Sequence, residues 1–369
     1  MRFSSVVVSA MAASMAAAHH NHDIKREQAM RRTLLEHTKK DLSHCAEKIR
    51  RNGLEARNVK RRADRAAAIL KKKGSMKSVR DLSALNTSHL SPEDYTLDTP
   101  EATLFASNAS CVLSPEVTEG PYYVAGEYIR ENVTDGQAGV DLHLELQVLD
   151  VNTCEPIVNA FTEIWACNST GVYSGVSASS NGNSASDLTN LDETFARGIQ
   201  STDADGVASF DTLFPGHYTG RATHIHVLVH LNATARGNGT LLDTNASHVG
   251  QVFFDQDLIS QVEETPVYAT NTQRLTLNEN DGILKQEAAT SDPFVEYVLL
   301  GDAVEDGLLG WLAFGIDPSL SKNVNAAATF YETGGVQNNN GGGGPRPTGP
   351  RPTGPRPSGT RPSGPRPSA

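Results

Sequence analysis

The chain has 369 residues, 38 % of them hydrophobic, with 43 Asp/Glu against 32 Lys/Arg for a net charge of −11. That length allows one large domain with extensions, or two domains. The apolar share lies below the globular average of about 45–50 %, so part of the chain is expected to stay outside a core. Only residues 1–18 are poor in charge, too short a run to cross a bilayer, which excludes an integral membrane protein. The charge is also segregated: residues 19–80 hold 19 Lys/Arg against 7 Asp/Glu, and residues 81–345 hold 7 against 36.

In chain order, Met1-Arg2, the apolar run to Ala18 and the small residues before His19 form a signal-peptide pattern, with cleavage expected after Ala18. Seven Asn-X-Ser/Thr sequons follow, at Asn86, Asn108, Asn132, Asn168, Asn232, Asn238 and Asn245. Crowded sequons behind a signal peptide predict a secreted, extracellular glycoprotein. Cys45, Cys111, Cys154 and Cys167 suit two disulfides in an oxidising compartment. Of the three pairings, Cys154–Cys167 is disfavoured because the two are expected at opposite ends of a strand.

Residues 19–80 read as a basic helical segment. Within 24–73 there is no Pro and a single Gly. Leu34, Leu35, Leu42, Cys45 and Ile49, then Leu54, Val59, Ala63 and Ala67, recur at helical spacing, and Asn52-Gly53 marks a break between two helices. A basic segment can be a nucleic-acid arm, but charges interleaved with Leu and Ala point to a helical arm lying against an acidic body. No nucleic acid and no membrane are expected as partners.

From about Thr96 the texture becomes short alternating runs separated by Gly, Asn and Asp. Val140–Leu149 reads as a strand, Asn152–Pro156 as a turn and Ile157–Trp165 as the return strand. Val207–Phe210, Ala222–His230 and Gly250–Phe254 are further strands. The pattern predicts a mainly β fold, an antiparallel β-sandwich spanning residues 81–335. From Gly334 the chain turns to Gly/Asn and then five-residue Gly/Pro/Arg repeats, so residues 336–369 are expected to form a disordered, solvated Pro-rich tail. No apolar stretch follows, so no GPI-type anchor is expected.

The informative cluster is His217-Tyr218-Thr-Gly-Arg221-Ala-Thr-His224-Ile-His226. On a strand His224 and His226 project from one face, about 6–7 Å apart, a workable bite for a metal ion. Upstream, Tyr173 lies just beyond a strand ending at Trp165.

Four ordered motifs carry a resemblance: TEGPYY (118–123), W-x-C-N-x-x-G-x-Y-S-G (165–175), F-x-R-G-x-Q-x-T-D-x-D-G (195–206) and F-P-G-H-Y-x-G-R-x-x-H-I-H (214–226). Together they resemble the intradiol ring-cleavage dioxygenases, nearest the secreted fungal branch related to protocatechuate 3,4-dioxygenase and catechol 1,2-dioxygenase. The resemblance implies one Fe(III) per chain, held by Tyr173, Tyr218, His224 and His226, and no organic cofactor. Two phenolates and two neutral imidazoles suit that ion, since hard anionic donors offset its charge. It further implies that Arg221 stabilises charge on the bound ring, that Gln251 lies near the same pocket, and that Gly120, Pro121 and Tyr122 line it. Tyr218 would leave the iron when a catechol binds and accept a proton. The implied substrates are a catechol-type small molecule and O2, cleaved between the hydroxyl-bearing carbons to a muconate-type diacid. Bacterial catechol dioxygenases of the family pair through an N-terminal helical segment, which raises a homodimer through residues 24–73 as an expectation. Two other readings compete: a copper β-sandwich oxidoreductase using His-x-His, and a non-catalytic wall- or carbohydrate-associated module.

Overall fold

The computed structural model of the protein describes residues 42–74, 120–178, 181, 188–243, 245–288 and 291–338. The signal segment, residues 24–41, the sequons at Asn86 and Asn108, Cys111 and the repeat tail beyond Asn338 lie outside the described residues. In chain order the described residues form α1 (Ala46–Arg51), α2 (Leu54–Lys72), β1 (Val124–Ala125), β2 (Asp141–Asp150), β3 (Phe161–Trp165), β4 (Arg197–Ser201), β5 (Val207–Leu213), β6 (His224–His230), β7 (Asn245–Ala246), β8 (His248–Phe253), α3 (Gln256–Glu263), α4 (Gly282–Ala288), β9 (Glu296–Leu299), β10 (Leu308–Ile316), β11 (Lys322–Asn323), β12 (Ala328–Tyr331) and β13 (Gly334–Gln337). The protein is mainly β.

Two four-stranded sheets dominate, ordered β5-β2-β10-β9 and β4-β3-β6-β8. They share one core, because alternate residues of each strand face the other sheet. Leu142, Leu144, Leu146 and Val148 of β2 and Phe210 of β5 meet Ile164 of β3 and Ile225, Val227 and Val229 of β6. Each such fully buried side chain contributes about 1.5–3 kcal/mol. On β6 the opposite face carries His224, His226 and His230. The strand's seven residues are all buried, so this second, polar face is covered as well.

Several expectations are corrected. Ile157–Trp165 does not return alongside β2. Ile157 N donates to Val148 O at 2.9 Å, but Asn159 adopts a φ of 60° and turns the chain away. β3 then pairs with β4 and β6 in the second sheet. The first sheet is mixed rather than antiparallel, since β10 runs parallel to β2 over Leu308–Ile316. A parallel partner needs a crossover, and the whole second sheet lies between these two strands in sequence. β10 escaped sequence reading because it is buried on both faces and shows no alternation. The chain from Gly334 is not solvated at its start: β13 pairs with β12, and Asn338 N donates to Ala327 O at 2.8 Å.

The helical arm lies on the outer face of the first sheet. Its buried stripe is Leu54, Asn58, Arg62, Ala66 and Leu70, one residue out of step with the expected Val59, Ala63 and Ala67. The reason is the sheet's polar outer face. Asn58 Nδ2 donates to Gln147 Oε1 at 2.8 Å, Arg61 Nε to Glu145 Oε2 at 3.0 Å, and Arg65 Nη2 to Asp211 Oδ1 at 3.1 Å. Arg62 lies over the Trp311 ring at 4.7 Å. Among the described residues one disulfide, Cys45–Cys154, ties the start of α1 to the turn after β2. Cys167 is a buried thiol, free among the described residues, that donates to Gly216 O at 3.2 Å; Cys111, which a second disulfide would need, lies outside the described residues.

Candidate metal centre

Strand register brings the site together. Across three neighbouring strands, His226 of β6 lies opposite Trp165 of β3 and Gln251 of β8. The Trp165 indole stacks on the His226 imidazole at 4.6 Å with the planes 1° apart, which fixes that ring. His224 is fixed differently: its Nδ1–H donates to Ala222 O at 2.6 Å. This bond assigns the tautomer and leaves the Nε2 lone pair facing the site.

The tyrosines arrive on two interlocked loops. The Tyr173 N–H donates to Asn181 Oδ1 at 2.7 Å, while Tyr173 O accepts from the side-chain amides of Asn181 and Asn190, each at 2.7 Å. Gly171, with φ +78°, packs so tightly that a Cβ would sit 2.2 Å from His217 O; only glycine lets this loop touch the one carrying Tyr218. His217 anchors that second loop, Nδ1 to Glu263 Oε1 at 2.8 Å and Nε2 to Gln273 O at 2.9 Å. Burial alone would lower the His217 pKa, but the Glu263 carboxylate raises it overall.

Four donor atoms converge. Around His224 Nε2 lie His226 Nε2 at 3.1 Å, Tyr218 Oη at 3.4 Å and Tyr173 Oη at 3.5 Å. All four side chains are buried. Burial, above all, raises both tyrosine pKa values above the ordinary phenol value, so neither phenol ionises here unless a cation lies beside it. A hard cation at the centre of this set would satisfy both requirements, separating two facing imidazole nitrogens and stabilising two phenolates. The donor chemistry fits ferric iron.

Arg221 and Gln251 adjoin the cluster. Arg221 Nη2 donates to Gln251 Oε1 at 2.5 Å and its Nε to Asp281 Oδ2 at 2.9 Å. Burial lowers the Arg221 pKa, and Asp281 reverses this to a net rise. Asp281 was not legible in the sequence, where Asn278-Glu-Asn-Asp-Gly reads as a turn sixty residues from Arg221. Of the segment TEGPYY, Gly120 (φ +73°) lies against His226, and a Cβ there would meet its Cε1 at 2.9 Å. The Tyr122 ring lies 4.8 Å from the Tyr173 ring, whereas Pro121 sits half-buried in the turn between them. Arg197, also missed, links two pieces of the site by donating from Nη2 to Tyr122 O and Ser174 O, both at 2.7 Å. His230 shares the face of His224 and His226 but is engaged elsewhere, Nε2 with Glu163 at 2.9 Å and Nδ1 with Asn245 O at 2.8 Å. The third histidine of that face is thus engaged by Glu163 and Asn245.

The Dioxygenase family model (Dioxygenase_C) matches residues 118–275, which include all the candidate ligands, Arg221 and Gln251. An intradiol ring-cleavage dioxygenase from Tetranychus urticae is 33 % identical, covering 57 % of this chain and 97 % of its own, with a TM-score of 0.47. The dioxygenase domain of a dioxygenase–carbohydrate-binding fusion from Streptomyces sp. SirexAA-E is 24 % identical, covering 55 % and 97 %, with a TM-score of 0.33. Catechol 1,2-dioxygenase from Pseudomonas arvilla C-1 is 18 % identical, covering 56 % and 62 %, with a TM-score of 0.35. Among curated proteins none matches. The chain belongs to the intradiol ring-cleavage dioxygenase family and is an oxidoreductase of that class.

Proposed function

We propose that this chain is a secreted, Fe(III)-dependent intradiol dioxygenase that opens a catechol-type ring between its two hydroxyl-bearing carbons, using O2 and giving a muconate-type diacid. The observation that carries the reading is the convergence of Tyr173, Tyr218 and His226 on His224 Nε2 within 3.5 Å. Ferric iron bound there would supply the positive charge that ionises the phenols and draws electron density from a bound diol. The chain's own residues supply the rest. Tyr173, locked through its backbone, is the permanent anchor. Tyr218, at the end of a short Pro-Gly turn, is the ligand whose Oη accepts a substrate proton. The Arg221 guanidinium stabilises negative charge on the ring, and Gln251 holds that guanidinium in place. Trp165 and Tyr122 close the flanks and keep water out.

Secretion is supported by the Cys45–Cys154 disulfide and by exposed asparagines in the sequons at 132, 232, 238 and 245. If residues 24–73 pair two copies, they do so with the face opposite the Leu54–Leu70 stripe, which is already covered by the chain's own sheet. The test of function is product chemistry on purified, iron-loaded protein supplied with catechol and O2. A cis,cis-muconate-type diacid is expected; a yellow semialdehyde, from cleavage beside the diol, would overturn the reading.

A further inference from the structure

The acidic body contains seven Lys/Arg in residues 81–345, and the structure describes all of them. Arg236 and Arg274 are exposed, and Lys285 and Lys322 are half-buried. Arg130 forms a two-pronged pair with Asp135, at 2.7 and 2.9 Å. Arg197 is fully buried, uses Nε and Nη2 on Tyr122 O and on Ser174, and lies 3.8 Å from the Glu127 carboxylate. This leaves Arg221 as the guanidinium hydrogen-bonded beside the candidate ligands, and its charge is already matched. Asp281, 1 % exposed, accepts Arg221 Nε at 2.9 Å and Ala222 N at 2.8 Å on Oδ2. Its Oδ1 accepts Ile283 N at 2.7 Å and Leu284 N at 3.2 Å at the start of α4. Four hydrogen bonds thus fix the carboxylate, and the ion pair cannot reopen without breaking the helix start.

A second, full anion buried here needs an uncompensated cation or a full set of donors; the Arg221–Asp281 pair keeps guanidinium N–H dipoles for the partial charge developing on the ring but carries no net charge to match a carboxylate. We infer that the site takes uncharged catechols and rejects catechols bearing a ring carboxylate, because Asp281 neutralises Arg221. The proposal rests on the dioxygenase reading above and adds a specificity-determining role for Asp281, which lies beyond the segment matched by the family model. The body's excess of 36 Asp/Glu over 7 Lys/Arg acts in the same direction by repelling anions on approach.

The experiment compares catechol with 3,4-dihydroxybenzoate on the iron-loaded parent, by oxygen uptake and, under nitrogen, by calorimetric binding. The parent should favour catechol by ~10²-fold or more in kcat/KM, with a parallel gap in binding. Asp281→Asn keeps the side chain's size and one accepting oxygen, gives up the two bonds accepted by the other, and unmasks the Arg221 charge, so the ratio of 3,4-dihydroxybenzoate to catechol should rise at least ~10-fold. A merely structural Asp281 would lower both substrates alike and leave that ratio fixed, which overturns the proposal. If Asp281→Asn does not fold, the parent's two measurements still decide: equal use of the two substrates refutes the inference while leaving the dioxygenase reading intact. Failure to bind or consume either one refutes both.

Discussion

Two arginines are buried in this protein under opposite arrangements. Arg62, beneath α2, lies over the Trp311 ring, and burial, the largest cause, pulls its pKa down to about 10. Arg221, beside the candidate metal centre, is gripped by a carboxylate and an amide oxygen, and its pKa is raised despite burial. At Arg62, the carboxylates of Glu145, Glu296 and Glu55 oppose the drop without cancelling it. A paired carboxylate is needed where the cation must hold one orientation next to reacting atoms. The first arginine packs α2 onto the sheet; the second is held in one orientation beside the site.

Substituting both is the strongest way to break that contrast. Arg221→Met should lower turnover by ~10²–10³-fold and, by stranding Asp281, lower stability by about 3–5 kcal/mol. Arg62→Met should leave turnover unchanged, its whole effect falling on stability. Oxygen uptake and urea denaturation of the two variants read both quantities, and similar losses from both would erase the distinction. A second test releases the arm without touching the site. Cys45→Ser should reduce stability by about 3–5 kcal/mol, because the bridge closes a 109-residue separation, with turnover per folded molecule retained.

His248 sharpens the comparison further, being a buried base with neither device. It stacks on Phe314 at 5.2 Å, neither ring nitrogen has a hydrogen-bond partner, and burial pushes its pKa down to about 3. The folded protein therefore stays unprotonated while the unfolded chain binds a proton below pH ~6.5. Stability from this group is complete above that pH and falls at up to about 1.4 kcal/mol per unit as pH drops toward 3. His248→Leu should flatten the slope between pH 6.5 and 4.5. Taken as a difference from the parent, this cancels other buried groups such as Glu127, which burial pushes up to about 8. An unchanged slope would show that His248 is protonated in the fold. The smallest effect is at the C-terminus: truncation after Asn338 should leave Tm and turnover unchanged. Truncation before Gly334 should lower Tm by removing β13 and the Gly335 N donor to Asp192 Oδ1.

The contrast also explains what the sequence made legible. His224 and His226 could be read because strand alternation places them on one face, and the tyrosines because they sit at fixed spacings within quoted motifs. Asp281 could not be read, since its partnership with Arg221 exists only after the chain folds α4 against the start of β6. The stripe Asn58–Arg62 defied the apolar rule because the surface receiving it is itself polar. β10 defied the alternation rule because α2 covers one of its faces and the core the other.

The central claim is that Tyr173, Tyr218, His224 and His226 form one ferric site, and metal content read together with the visible spectrum tests it most directly. The purified parent should hold about one iron per chain and show a red-brown tyrosinate-to-Fe(III) band, as two phenolate donors require. Tyr218→Phe should keep iron with an altered band and lose ~10²–10⁴-fold in turnover, whereas Tyr173→Phe should lose iron. Copper or zinc in the parent, or full colour and normal turnover in both variants, would contradict the account.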